Sequence, residues 1–182
     1  MSQFHTVKID KLEIRNKDDM YQTVLVPIDT DYHGNRIYDH RTVWACIDDI
    51  EVFQQIVDAF TAEELIKFRD EYNGNIFASL AENDRDVRFF QTLVNKIGED
   101  ESYNMLLTYD RRHICPLALI RDLESFIVLL NAVNIDADTL RQICHHGTNQ
   151  VVDHLACMVN STSSIEVALN YMTESGAFDN SN

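Results

Sequence analysis

Basic charge, glycine, proline and cysteine are all scarce in this 182-residue chain: 15 Lys/Arg face 30 Asp/Glu, with 5 Gly, 2 Pro and 4 Cys. The last lysine is Lys96 and the last arginine Arg141, so the C-terminal stretch has no fixed cation. A formal charge of −15 opposes partners that are bound by displacing counterions with Lys/Arg, which argues against direct nucleic-acid binding and against anionic membranes. No apolar run approaches the about 20 residues needed to span a bilayer. The polar start MSQFHTVKIDKLEIRNKDD lacks the apolar core of a signal peptide. Cys46, Cys115, Cys144 and Cys157 lie far apart without a Cys-x-x-Cys pair, as free thiols of a reducing compartment do. The expected location is cytoplasmic, or the cytosol of a second cell reached by a route without a cleaved signal.

Also missing are a Gly-rich phosphate loop, a Gly-x-Ser-x-Gly elbow and a His-Glu-x-x-His pair, so no motif specifies a reaction. What is present, 45% hydrophobic and 25% charged residues, is the composition of a chain that buries a core. One domain over residues 1–182 is expected, with a β-rich part at 1–46, a helical part at 47–176 and a disordered tail at 177–182.

In the first part, Val7, Ile9, Leu12 and Ile14 mark one extended segment, Thr23 to Val26 a second and Arg41 to Cys46 a third, all rich in β-branched or aromatic residues. Between the last two, Asp29 to Asn35 has the Asp, Gly and Asn content of a hairpin turn. Pro27 lacks a ladder N–H and places its strand at an edge or at its end. The expected fold is α+β: a small N-terminal antiparallel sheet of about three strands followed by a predominantly helical bundle or array.

From Ile47 the apolar period becomes helical. Ile50, Phe53, Ile56, Val57 and Phe60 form one stripe, and Thr61-x-x-Glu64 has the spacing of a capping box that starts a second helix running towards Gly74. Phe89, Phe90, Leu93, Val94 and Ile97 predict another, ending at Gly98. Pro116 suits a first helical turn, and Leu117–Val133, apolar on nearly every side, reads as the central buried helix. Asp136 or Asp138, Thr148 or Asn149, and Ser163 then begin shorter helices. Gly74, Gly98, Gly147 and Gly176 stand where left-handed helix ends would fall. The successive pairing is that of helical-repeat proteins, but no residue signature recurs at a fixed period, so the expectation is helical packing and not a named repeat.

Four constellations could carry chemistry. His113 and Cys115, with Cys144, His145, His146, His154 and Cys157, are zinc-ligating types; His154 and Cys157 share a helix face. Against zinc, there is no tight knuckle, the histidine pair suits a helix C-terminus, and the cysteines suit a core. Cys46 is a candidate nucleophile near a helix start, but Asp48 and Asp49 oppose a thiolate. Asp29, Asp31, His33 and Gly34 open like a calcium loop, which Arg36 and His40 then break. Arg111-Arg112 could clamp a carboxylate or phosphate, or form ordinary ion pairs in a loop between helices. No metal and no cofactor is expected.

The remaining pattern is acidic. Residues 47–104 hold fourteen acids and five bases, more than helix capping requires. Glu82, Asp84, Asp86, Glu99, Asp100 and Glu101 are the candidate partner-binding residues. The function expected is a non-catalytic interaction module, an adaptor, inhibitor or effector-like regulatory protein, that meets a basic protein surface. A thiol- or zinc-dependent enzyme is the alternative of another class, and nucleic-acid mimicry against a DNA- or RNA-binding protein is a narrower form of the first. An apolar stripe on the last helices would also suit a homodimer.

Overall fold

The computed structural model describes residues 7–9, 12–30, 32–120, 123–136 and 139. The fold is α+β, antiparallel strands first and helices after them. The strands number four among the described residues, in two separate two-stranded sheets. The first expected segment folds back on itself: β1 (Val7–Ile9) pairs with β2 (Leu12–Ile14), Val7 opposite Ile14. After a 3₁₀ turn at Lys17–Tyr21, capped by Asn16, β3 (Thr23–Thr30) pairs with β4 (Arg36–Thr42) around the turn read from the sequence, where Gly34 has φ +81°. The register shifts between Pro27 and Asp29, so the strand passes the proline through a bulge rather than ending there.

The third expected strand lies earlier than 41–46. Thr42 Oγ1 accepts from Ala45 N at 3.2 Å and caps a short helix, α1 (Val43–Cys46). Val43, Trp44, Ala45 and Ile47 are all buried, whereas a strand would send alternate side chains outward. Asp49 then caps α2 (Ile50–Ala59), whose buried Phe53, Ile56 and Val57 are the expected stripe. The Thr61–Glu64 capping box starts α3 (Ala62–Lys67), with Glu64 Oε2 accepting from Thr61 N at 2.7 Å.

α3 stops at Lys67, short of Gly74, because Asp70 builds a loop instead. Its Oδ1 accepts from Tyr72 N at 2.8 Å and Gly74 N at 2.6 Å, Asp70 N donates to Gly74 O at 2.9 Å, and Asn73 takes φ 65°. A Cβ on Gly74 would stand 2.7 Å from Asp70 Oδ2, so it is this close approach, not a helix end, that needs glycine. Asn75 caps the next helix, α4 (Ile76–Ala81), and Asp86 caps α5 (Val87–Ile97). Gly98, at φ 100° and ψ 157°, joins α5 to α6 (Glu99–Leu107).

The same construction then recurs forty positions on. Asp110 Oδ1 accepts from Arg112 N at 2.8 Å and Ile114 N at 3.0 Å, Asp110 N donates to Ile114 O at 3.0 Å, and His113 takes φ 61°. Cys115 stands at the cap position of α7 (Pro116–Leu119), and α8 (Leu123–Ala132) follows. The central helix expected over 117–133 is therefore two helices, with Ile120 in extended backbone after the first. α4 packs on α7 and α5 on α8, and the loops join where Arg111 N donates to Tyr72 O at 2.9 Å. The buried Phe90, Leu93, Val94 and Ile97 of one unit answer to Phe126, Leu129, Leu130 and Val133 of the next. Two stacked loop–helix–helix units thus give form to the expected helical array. Units of this kind bury a continuous core between neighbours and bring their loops to one face.

No helix among the described residues is long and apolar enough to cross a membrane. Asp136 Oδ1 accepts from Thr139 N at 2.7 Å, the capping role read for it. The helix starts expected at 148 or 149 and 163, the ends at Gly147 and Gly176, and the tail at 177–182 lie outside the described residues.

Gly98 gives a direct test of this chain path. Its torsion angles fall in a region that only glycine occupies without strain, while a Cβ would meet nothing within 4 Å. Gly98→Ala is expected to cost about 1–3 kcal/mol in urea unfolding, all of it torsional. A neutral result would mean that the α5–α6 junction has another conformation.

Candidate functional site: a polar cleft between a strand and two stacked loops

Between β4 and the loop at Asp70 lies a cleft of about 460 Å³, within the range of about 300–1,000 Å³ for ligand sites. Tyr38, Asp39, His40, Arg41 and Thr42 of β4 form one wall. Asp70, Glu71 and Tyr72 of the first loop, Ser79 of α4, Glu82 and Asn83 just beyond it, and Arg112 of the second loop form the other. Tyr38 and Tyr72 are 48% and 44% exposed.

The charged lining comprises four carboxylates, Asp39, Asp70, Glu71 and Glu82, and two guanidiniums, Arg41 and Arg112. Both guanidiniums have internal partners. Arg41 pairs with Asp39 at 3.1 Å. Arg112 reaches Glu82 and also Asp110 at 2.6 Å, and its guanidinium carbon lies 4.5 Å from the centre of the Tyr72 ring. Burial works to lower the Arg112 pKa, but the hydrogen bonds to Glu82 and Asp110 raise it above the usual arginine value. Burial pushes Asp70 above the usual carboxylate range, against the bonds from Gly74 and Tyr72 and the charge of Arg112. Ser79 is 2% exposed, lines the cleft, and its Oγ has no hydrogen-bond partner among the described residues.

The six acids singled out in the sequence fall into two groups. Glu82 lines the cleft and holds Arg112. Asp84 ends the turn after α4 at φ 50°, and Asp86 is tied to Arg88 N at 2.8 Å and Arg88 Nε at 2.9 Å, which lowers its pKa. Glu99, Asp100 and Glu101 occupy the first turn of α6, exposed, and none is ion-paired among the described residues. The groups stand at opposite ends of α5, whose eleven residues span about 16 Å at 1.5 Å per residue. They form two patches, not one face.

The other candidates are placed as follows. Cys46 is half-buried at the end of α1, and burial pushes its thiol above the ordinary value despite the opposing charges of Arg41 and Arg85. That is the reverse of nucleophile activation. Cys115 is buried, with its pKa raised by burial, and His113 is exposed in the loop before it. No three His, Cys, Asp or Glu side chains converge on a metal position among the described residues. Cys144, His145, His146, His154 and Cys157 lie outside them, as does Asp31. Asp29 Oδ1 accepts from Thr30 N at 2.7 Å within the hairpin. Arg111-Arg112 sits in a loop between helices, where Arg112 makes the internal ion pairs of the ordinary reading and Arg111 Nη1 donates to Glu71 O at 3.5 Å.

Asp70, Tyr72 and Ser79 were missed in the sequence. The signal that finds the loop of Asp70 and Tyr72 is an Asp five positions ahead of a helix cap, with a residue able to take positive φ at its third place: Asp70, Asn73 and Asn75 against Asp110, His113 and Cys115. Comparison of the chain with protein-family models, curated proteins and solved structures finds no match.

Cys46 gives a test of the thiol chemistry. At neutral pH its alkylation by iodoacetamide, followed by peptide mass mapping, is expected to be slower than that of a free thiol and to rise with pH beyond the ordinary thiol range. Alkylation faster than a free thiol would restore Cys46 as a nucleophile.

Proposed function

We propose that this chain acts by binding, as an interaction module whose stacked loops and adjoining cleft meet a basic surface of another protein. The observation that carries this reading is the cleft lining, four carboxylates against two guanidiniums that already have internal partners, in a chain of net charge −15. Loops that repeat units bring to one side make an extended surface for a protein partner. A field of this sign speeds encounter with a basic partner and weakens as salt screens it. An adaptor, inhibitor or effector-like role in the cytoplasm is consistent with such binding.

The test is a photo-reactive amino acid placed at position 71 beside the cleft and, separately, at position 100 on the far patch, in the full chain inside its own cells. Crosslinks from position 71 to a Lys/Arg-rich segment, with yield falling as ionic strength rises, are expected. Crosslinks to a neutral or acidic segment, insensitive to salt, would overturn the reading.

A further inference from the structure

The two loops are built alike, yet one is complete and the other is not. In the second, both carboxylate oxygens of Asp110 are used: Oδ1 takes the backbone donors of Arg112 and Ile114, and Oδ2 takes the Arg112 side chain, with Nε at 2.7 Å. In the first, Asp70 Oδ1 takes the same two backbone donors, from Tyr72 and Gly74. The residue in the place of Arg112 is Tyr72, which brings no cation, and Asp70 Oδ2 has no hydrogen bond among the described residues. A half-buried carboxylate with one oxygen unfilled is costly, and the fold supplies a hydrogen-bonded cation only in the second unit, Arg112 acting on Asp70 through its charge alone.

An independent feature of the same cleft points the same way. Ser79 Oγ is buried and without a partner, on the wall that Asp70, Glu71 and Glu82 share. A buried hydroxyl is normally hydrogen-bonded, and an orphan at a cleft wall marks where a ligand donor or acceptor belongs. Arg41 and Arg112 do not fill the place, since Asp39, Asp110 and Glu82 hold them.

We infer that the cleft receives an arginine or lysine side chain from an extended segment of a partner protein, its cation against Asp70 Oδ2 and Glu71 and the segment's polar backbone within reach of Ser79 Oγ. The exposed ring of Tyr38 flanks the entry and offers a π face to the arriving cation, whereas the Tyr72 ring already carries the Arg112 guanidinium. This inference rests on the basic-partner reading and gives it a place and a recognised group.

The test is an NMR titration of the ¹⁵N-labelled full chain with a capped Ala-Arg-Ala-Arg-Ala peptide, and with the same peptide carrying citrulline, the uncharged isostere, in place of arginine. Amide shifts centred on Asp70–Asn75 and Ser79 are expected with arginine and not with citrulline. Asp70→Asn keeps an oxygen for the two backbone donors and so keeps the loop, which a urea melt verifies; it should weaken binding by about 10-fold or more, the loss of a charged hydrogen bond. Ser79→Ala should weaken it several-fold, and Glu99→Gln with Glu101→Gln should leave it nearly unchanged. Equal binding of the citrulline peptide would overturn recognition of a cation. Shifts centred on Glu99–Glu101, abolished by the glutamine pair, would overturn the cleft as the place while leaving the basic-partner reading intact. Absence of shifts anywhere would count against both.

Discussion

Truncation of Trp44 to alanine is expected to lower the unfolding free energy by about 3–5 kcal/mol, a large share of the about 5–15 kcal/mol that holds a domain together. Trp44 is the chain's one tryptophan and is 1% exposed on α1, where the hairpin chain turns into the helices. The rings of Phe53, Phe60 and Phe68 stand edge-on around it, with centroids 6.0, 5.4 and 6.2 Å away. Such contacts add to burial, and alanine would leave a cavity where α1, α2 and the end of α3 converge. Because its indole N–H has no partner among the described residues, Trp44→Phe should cost distinctly less, removing a buried donor along with part of the ring. Urea unfolding followed by circular dichroism, which does not depend on the lost fluorophore, measures both variants. A cost below about 1 kcal/mol for Trp44→Ala would mean that this aromatic cluster does not join the strands to the helices.

Trp44 also marks where the sequence could be read and where it could not. Its burial was legible from its apolar neighbours. Its helical backbone was not, because Val43 to Cys46 are β-favouring types and the deciding residue is Thr42, whose hydroxyl caps the turn. The Thr61–Glu64 box, the Asp29–Asn35 hairpin turn and Pro116 at a first helical turn were legible because each is a local interaction within a few residues. The break after Leu119 was hidden by a run of apolar residues that packs from every side, so periodicity had nothing to report there.

The repeat escaped for a different reason. Asp70 and Ala78 match Asp110 and Ala118 at one spacing, while Phe90, Leu93 and Asn95 match Phe126, Leu129 and Asn131 at a smaller one, because the connection between the helices is shorter in the second unit. No single period aligns both halves. The backbone still preserves what the loop physically requires, an acceptor for two N–H groups and a residue that tolerates φ near 60°, and meets it with Asn73 in one unit and His113 in the other. As for the cleft, only Glu82 of the six acids lines it. Runs of acid are conspicuous in a sequence, whereas Asp70 is a single residue whose significance comes from the chain folding around it.

The paired loops supply their own control for the second large effect. Asp110→Ala is expected to cost about 2–4 kcal/mol. It removes the acceptor of two backbone N–H groups and of the Arg112 guanidinium, at a side chain only 3% exposed. The Arg112 side chain is 33% exposed, so water takes up part of its lost partner and the cost stays below that of breaking a fully buried pair. Asp70→Ala removes the same two backbone bonds but no guanidinium, and its carboxylate already bears a burial penalty that the variant relieves. Its expected cost is about 1–2 kcal/mol. Urea unfolding followed by Trp44 fluorescence measures the two side by side. If Asp110→Ala costs clearly more, the difference is what a cation contributes at this position of the loop, and the place at Asp70 is the one where that contribution is left to a partner. Equal costs would mean that the guanidinium adds nothing to the second loop, and would remove the comparison from which a basic side chain at Asp70 was inferred.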